Sequence, residues 1–200
     1  MHGQNPPPII ETERLLLRRW RDGDREPFAS ICADPRVMKF FPSTQTREQS
    51  GAQIDRQNSH MDRHGFCFWA LENRASGEFL GFTGLLNVGF AAPFAPAVEI
   101  GWRLAHRFWD AGYAGEAARA SVAWGFNTLR LDEIVSFAFV DNWRSRRVME
   151  RIGMRHDPGG EFDMPTLPEG HPLRRHAFYR IRAADRTAPS EPISNKETLR

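Results

Sequence analysis

The order of elements predicts an α+β fold, with one central sheet, mixed but mostly antiparallel, and helices on both of its faces. Three observations carry that expectation. Three strand-like segments follow one another with no helix between them, as antiparallel neighbours do. Helix, strand, helix and strand then close the chain, which makes the sheet mixed. The long helix in that second part has small residues along one face, so it can lie close against a sheet. Two hundred residues suffice for a single well-buried domain. With 15 Phe and 6 Trp, its core is expected to be rich in aromatic rings.

Residues 1–9, which include Pro6, Pro7 and Pro8, read as a disordered lead-in. "TERLLLRRW" reads as a strand, with Leu15 and Leu17 on one face. "DGDREPFASICAD" is a short helix entered through aspartates. A brief segment boxed between Pro35 and Pro42 leads to a polar helix over 44–63, with Thr46 as its cap and Glu48 close behind. The three strands are 66–73, 78–89 and 96–104. "RASG" makes a hairpin turn between the first two, and the longer link "FAAPFAP" reads as mobile. A helix of about sixteen residues after Gly112, a strand over 133–140 and a helix closing at Gly153 come next. Residues 174–183 supply the last strand, and 185–200 read as a flexible tail.

Composition excludes several classes. A formal charge of +2 is too small to indicate nucleic acid by itself. No segment is apolar for long enough to span a bilayer. "MHGQNPPPII" lacks the layout of a signal peptide. Cys32 and Cys67 lie too far apart for a ligand pair, which suits free thiols, a cytoplasmic location and no metal.

The junction "GWRLAHRFWDAGYAGEAARAS" carries the chemistry. The first turn of any helix has unpaired N–H groups and partial positive charge. Gly112 and Gly115 would let those donors approach a phosphate without Cβ obstruction, although glycine near a helix start is common in any case. A dinucleotide turn would need G-x-G-x-x-G after an early strand, and "GYAG" does not provide it.

The stretch from Val98 to Met154, with "ETERLLLRRW", "FWALENRASGEFLGFTGL" and "HAFYRI", resembles the GNAT superfamily of N-acetyltransferases. Within it, the stretch is most similar to the branch named for acetylating the N-terminal alanine of ribosomal proteins. The resemblance spans residues 10–183 and implies one N-acetyltransferase domain over 10–184. It implies splayed central strands, with the pantetheine arm of acetyl-CoA in the gap against backbone groups of Ile100, Trp102 and Leu104. It implies that amides of Ala111, Gly112, Tyr113, Ala114 and Gly115 hold the diphosphate, that Asn142 bonds the pantetheine, and that Arg147 reaches the adenosine phosphates. Ser145 would sit near the sulfur. Relatives often carry a basic residue or glycine where this chain has Asp110 and Ala111, so Asp110 is expected to face solvent.

Acetyl transfer needs a neutral amine, and an amine with the pKa of lysine is mostly protonated at neutral pH. A carboxylate that takes its proton is therefore useful, and Glu99 is the candidate. Its other reading is a solvated strand glutamate. Ser145 is either a donor to the departing thiolate or a polar first-turn residue, and Asn142 is either a ligand or an N-cap. An amide of the splayed strand, that of Ile100 being the candidate, would face the developing oxyanion. Arg144, Arg146 and Arg147 form a phosphate patch or a solvated face. Met38, Phe40, Phe41 and Trp69 border an acceptor pocket or belong to the core.

The activity this implies is acetyl-CoA-dependent acetylation of a primary amine, on a protein N-terminus or a small molecule. A non-catalytic acyl-CoA sensor and, more remotely, an RNA-associated protein are the other readings. A strand edge near 174–183 is a candidate homodimer contact.

Overall fold

The computed structural model describes residues 8–186, so the lead-in and the tail lie almost wholly outside the described residues. Nine strands form one sheet among them: β1 (Ile10–Glu11), β2 (Leu15–Arg18), β3 (Phe68–Asn73), β4 (Phe79–Asn87), β5 (Val98–Leu104), β6 (Glu133–Phe139), β7 (Arg155–His156), β8 (Phe162–Asp163) and β9 (Arg175–Arg182). Their order is β1-β2-β3-β4-β5-β6-β9-β7, with β8 also on β9. Every pairing is antiparallel except β5 with β6. The helices are α1 (Arg25–Ala33), α2 (Arg47–His64), α3 (Tyr113–Thr128) and α4 (Trp143–Arg151).

Local chemistry explains the helix ends. Thr46 caps α2 by accepting from the Gln49 amide, and the Gln49 side chain accepts from the Thr46 amide, so the capping partner is Gln49 rather than Glu48. Although α2 is polar, Ile54, Gln57 and Met61 form a buried line at steps of three and four. On α3 the small residues do what their spacing predicts. A Cβ added to Gly125 would stand 2.7 Å from Leu85 Cδ1 and 3.0 Å from Ile134 Cδ1, so the helix rests directly on β4 and β6.

The opposite face is aromatic. Phe28 of α1 meets Trp20 edge-on at 4.9 Å, and Phe68 and Phe82 stack at 5.1 Å.

Two expectations fail, both for want of the region between α4 and β9. Residues 90–96 are anchored rather than loose: Phe94 lies 4.4 Å from the ring of Phe178 and 5.0 Å from that of Phe162. Phe90 packs on Phe137 at 5.6 Å. Nor is β9 an open edge for a second copy, because β7 and β8 already occupy its outer side.

Candidate active site

β5 and β6 are paired at one position only, Glu99 with Val135, and then part. Backbone groups on a strand point alternately to its two neighbours. The Ala105 amide bonds Leu80 on the β4 side, so the groups of Ile100, Trp102 and Leu104 turn to the gap. Two of these carbonyls are taken within the protein. Ser136 Oγ donates to Ile100 O at 2.8 Å, and the Trp109 indole N–H donates to Leu104 O at 2.9 Å. Trp102 is left with backbone groups that face the gap without a partner among the described residues.

Beside this gap α3 begins. Gly112 precedes it with φ of 82°, a left-handed conformation that favours glycine. The first amide to close a turn is that of Glu116, on Gly112 O at 3.0 Å. The N–H groups of Tyr113, Ala114 and Gly115 therefore have no acceptor among the described residues, and no side chain there caps them. Arg14 pins this turn: it bonds Glu116 at 2.7 Å and the Ala111 carbonyl at 3.1 Å, and its guanidinium lies 4.5 Å from the centroid of the Tyr113 ring. The donors are thus held in place before anything binds, which is what an anion cradle requires.

Between the parted strands lies a cavity of about 320 Å³, bounded by β5, β6, the start of α4, Phe40 and Phe41, and the loop 164–173. Glu99 is half-buried on its wall and makes no hydrogen bond or ion pair among the described residues. Burial pushes its carboxyl up to about 8. Ser145, in the first turn of α4, also lines the cavity.

A family model described as Acetyltransferase (GNAT) domain matches residues 14–155. The chain belongs to the GNAT family. Bacillus subtilis YkkB is 32% identical over 148 residues, covering 74% of this chain and 85% of that protein. A GNAT-family acetyltransferase from Bacillus anthracis superposes with a TM-score of 0.72 at 27% identity, covering 88% of this chain and 98% of that one. Mycobacterium smegmatis RimJ, solved in complex with CoA-disulfide, superposes with a TM-score of 0.72 at 19% identity, covering 91% and 90%. Acetyl-CoA-dependent acetyl transfer is the activity of the GNAT family.

In this GNAT domain seven of the residues singled out by sequence come together. Glu99, Ile100, Trp102, Asn142, Ser145, Phe40 and Phe41 all line the one cavity. Asn142 is the N-cap of α4, its Oδ1 accepting from the Ser145 amide at 3.3 Å, and it lines the cavity as well. Asp110 faces solvent, its carboxylate paired with Arg144 at 2.7 Å. The arginine run divides. Arg146 turns inward to Val140 O and Tyr179 Oη, while Arg147 is exposed over the Trp143 ring at 4.7 Å.

Trp69 is the error. It is fully buried, packs edge-on against Trp124 of α3 at 5.1 Å, and does not line the cavity. Strand alternation puts its neighbour Phe68 there instead. Met38 is likewise core. Sequence reasoning also missed Arg14, Arg103 and His176. Arg14 had one weak signal, an acidic residue at position 116 in the first turn of α3 that suits a nearby cation.

Proposed function

We propose that this acetyltransferase moves an acetyl group from acetyl-CoA to a primary amine by direct attack on the thioester, with Glu99 as the base. The observation that carries the reading is a half-buried carboxyl, without a partner among the described residues, standing where β5 and β6 part. A carboxyl raised to about 8 takes a proton from an ammonium far more readily than an ordinary one. In the ionised form it accepts the amine proton as the N–C bond forms and the C–S bond breaks. The Trp102 N–H, free and facing the gap, supports the oxyanion contact better than that of Ile100. The Ser145 hydroxyl, which has no other partner among the described residues, suits protonation of the departing thiolate. The amides of Tyr113, Ala114 and Gly115 fit the diphosphate, with Arg147 at the exposed end for the adenosine phosphates.

Thiol release from acetyl-CoA, measured with peptides, polyamines and aminoglycosides as acceptors, tests this. Turnover is expected to rise with pH and level off above about 8 as Glu99 ionises. Coenzyme binding without turnover on any amine would make the protein an acyl-CoA sensor, and failure to bind acetyl-CoA would sink both readings.

A further inference from the structure

Arg103 is the one buried cation in the cavity wall, and none of its bonds explains its charge. It is 7% exposed, yet no carboxylate lies within ion-pairing distance of it among the described residues. Its Nη1 donates to Cys32 Sγ at 3.2 Å, while neither Nε nor Nη2 has a hydrogen-bond partner there. Burial pushes the Cys32 thiol up, so the sulfur is neutral and does not balance the guanidinium. Phe41 covers one flat face of the guanidinium at 4.3 Å. Leaving a charge buried and unpaired is costly, and a merely structural site would favour an apolar side chain of similar shape. The unused Nε–Nη2 edge is the fork that takes a carboxylate with two parallel bonds.

Its position relative to Glu99 gives that edge a use. Glu99, Gly101 and Arg103 stand on one face of β5 by alternation. At the strand rise their ends are ~13 Å apart between Cα atoms. Gly101, between them, has no side chain because the Phe68 ring occupies its place: a Cβ there would meet Phe68 Cζ at 2.9 Å. Proton acceptor, aromatic floor and cation therefore follow one another along a single wall.

We propose that Arg103 is the receptor for a carboxylate carried by the acceptor, which makes the substrate an amino acid or peptide whose amine and acid group are several bonds apart. This rests on acetyl transfer beside Glu99, and the test separates the two ideas. Thiol release is compared for straight-chain ω-amino acids of increasing length, for dipeptides with a free C-terminus, and for the carboxamide of each. In parallel, the unfolding temperature is read with coenzyme A present and either glutarate or glutaramide added. In the parent protein the acids are expected to exceed their amides in kcat/KM by at least about tenfold, chiefly through KM. Glutarate, not glutaramide, should raise the unfolding temperature. Arg103→Met should abolish both differences. Arg103→Lys, which keeps charge but loses the fork, should retain a fraction and serves where the Met variant does not fold. Equal acid and amide in both assays overturns the receptor. So does a preference that survives in Arg103→Met. Glutarate stabilisation through Arg103 with no thiol released from any amine leaves the receptor standing and removes the transferase reading.

Discussion

On one side of the parted strands the free donors are peptide N–H groups, those of Tyr113, Ala114 and Gly115, held by a helix start and an arginine clamp. On the other side the groups are side chains, half-buried Glu99 and buried Arg103, both without an ionic partner among the described residues. The first half carries positive potential from unsatisfied backbone groups and costs the fold little, because any helix start has them. The second half depends on burial, which makes Glu99 a stronger base and leaves Arg103 in need of an anion. On the reading proposed above, peptide groups would hold the common donor and side chains would serve the chemistry and the choice of acceptor.

Changes confined to one half should leave the other alone. The largest effect is expected from Glu99→Gln, which should lower kcat/KM by ~10²–10⁴. The dissociation constant of acetyl-CoA by calorimetry should stay within about twofold. A parallel loss of coenzyme affinity would mean that the two halves are not separable.

Next in size is the pH dependence of stability. The folded carboxyl of Glu99 titrates at about 8, well above its unfolded value of ~4.3. Between those values the folded state binds more protons, so stability falls as pH rises through this window and the loss is complete above about 8. Glu99→Gln removes that loss. Its unfolding free energy should match the parent near pH 4 and exceed it by up to ~5 kcal/mol near pH 9. Denaturant titrations at both pH values decide this, and curves that stay parallel would remove the raised pKa.

Gly112→Val works on the other half. A β-branched residue at φ of 82° is strained by ~1–2 kcal/mol and pulls the α3 amides out of line. Acetyl-CoA affinity should weaken about tenfold while kcat at saturating coenzyme stays close to that of the parent. Smallest is Asp110→Asn. Losing an exposed pair with Arg144 should change stability by no more than ~0.5 kcal/mol. Releasing Arg144 beside the cradle should tighten coenzyme binding about twofold at low salt, an effect that high salt erases.

How much of this could be read along the chain follows the same division. The cradle is contiguous: a strand, a glycine turn and a helix with a small-residue face lie within 99–129, and their spacing is visible without a partner. The α4 segment shows itself through an Asn cap and a closing Gly153 with φ of 91°. The acceptor half is assembled from β3, β5, the segment before α2 and the loop 164–173, and no local pattern joins them. Phe68 and Trp69 illustrate why. Alternation says that they face opposite ways, but which of them faces the cavity depends on the register with β4 and on where α3 sits. Arg103 in "GWRL" looks like any strand arginine until Cys32 and Phe41 close over it.

The sequence by itself determined the order of the longer elements, the mixed sheet, the close-packed helix and the glycine turn with its open amides, because each follows from periodicity, glycine conformation and unpaired amides within a few turns of chain. Only the tertiary structure decided that Glu99 and Arg103 lack an ionic partner among the described residues, that Phe68 rather than Trp69 floors the cavity, and that residues 90–96 are anchored. Burial and charge pairing are properties of neighbours in space, and here such neighbours lie far apart along the chain, 71 residues in the case of Cys32 and Arg103.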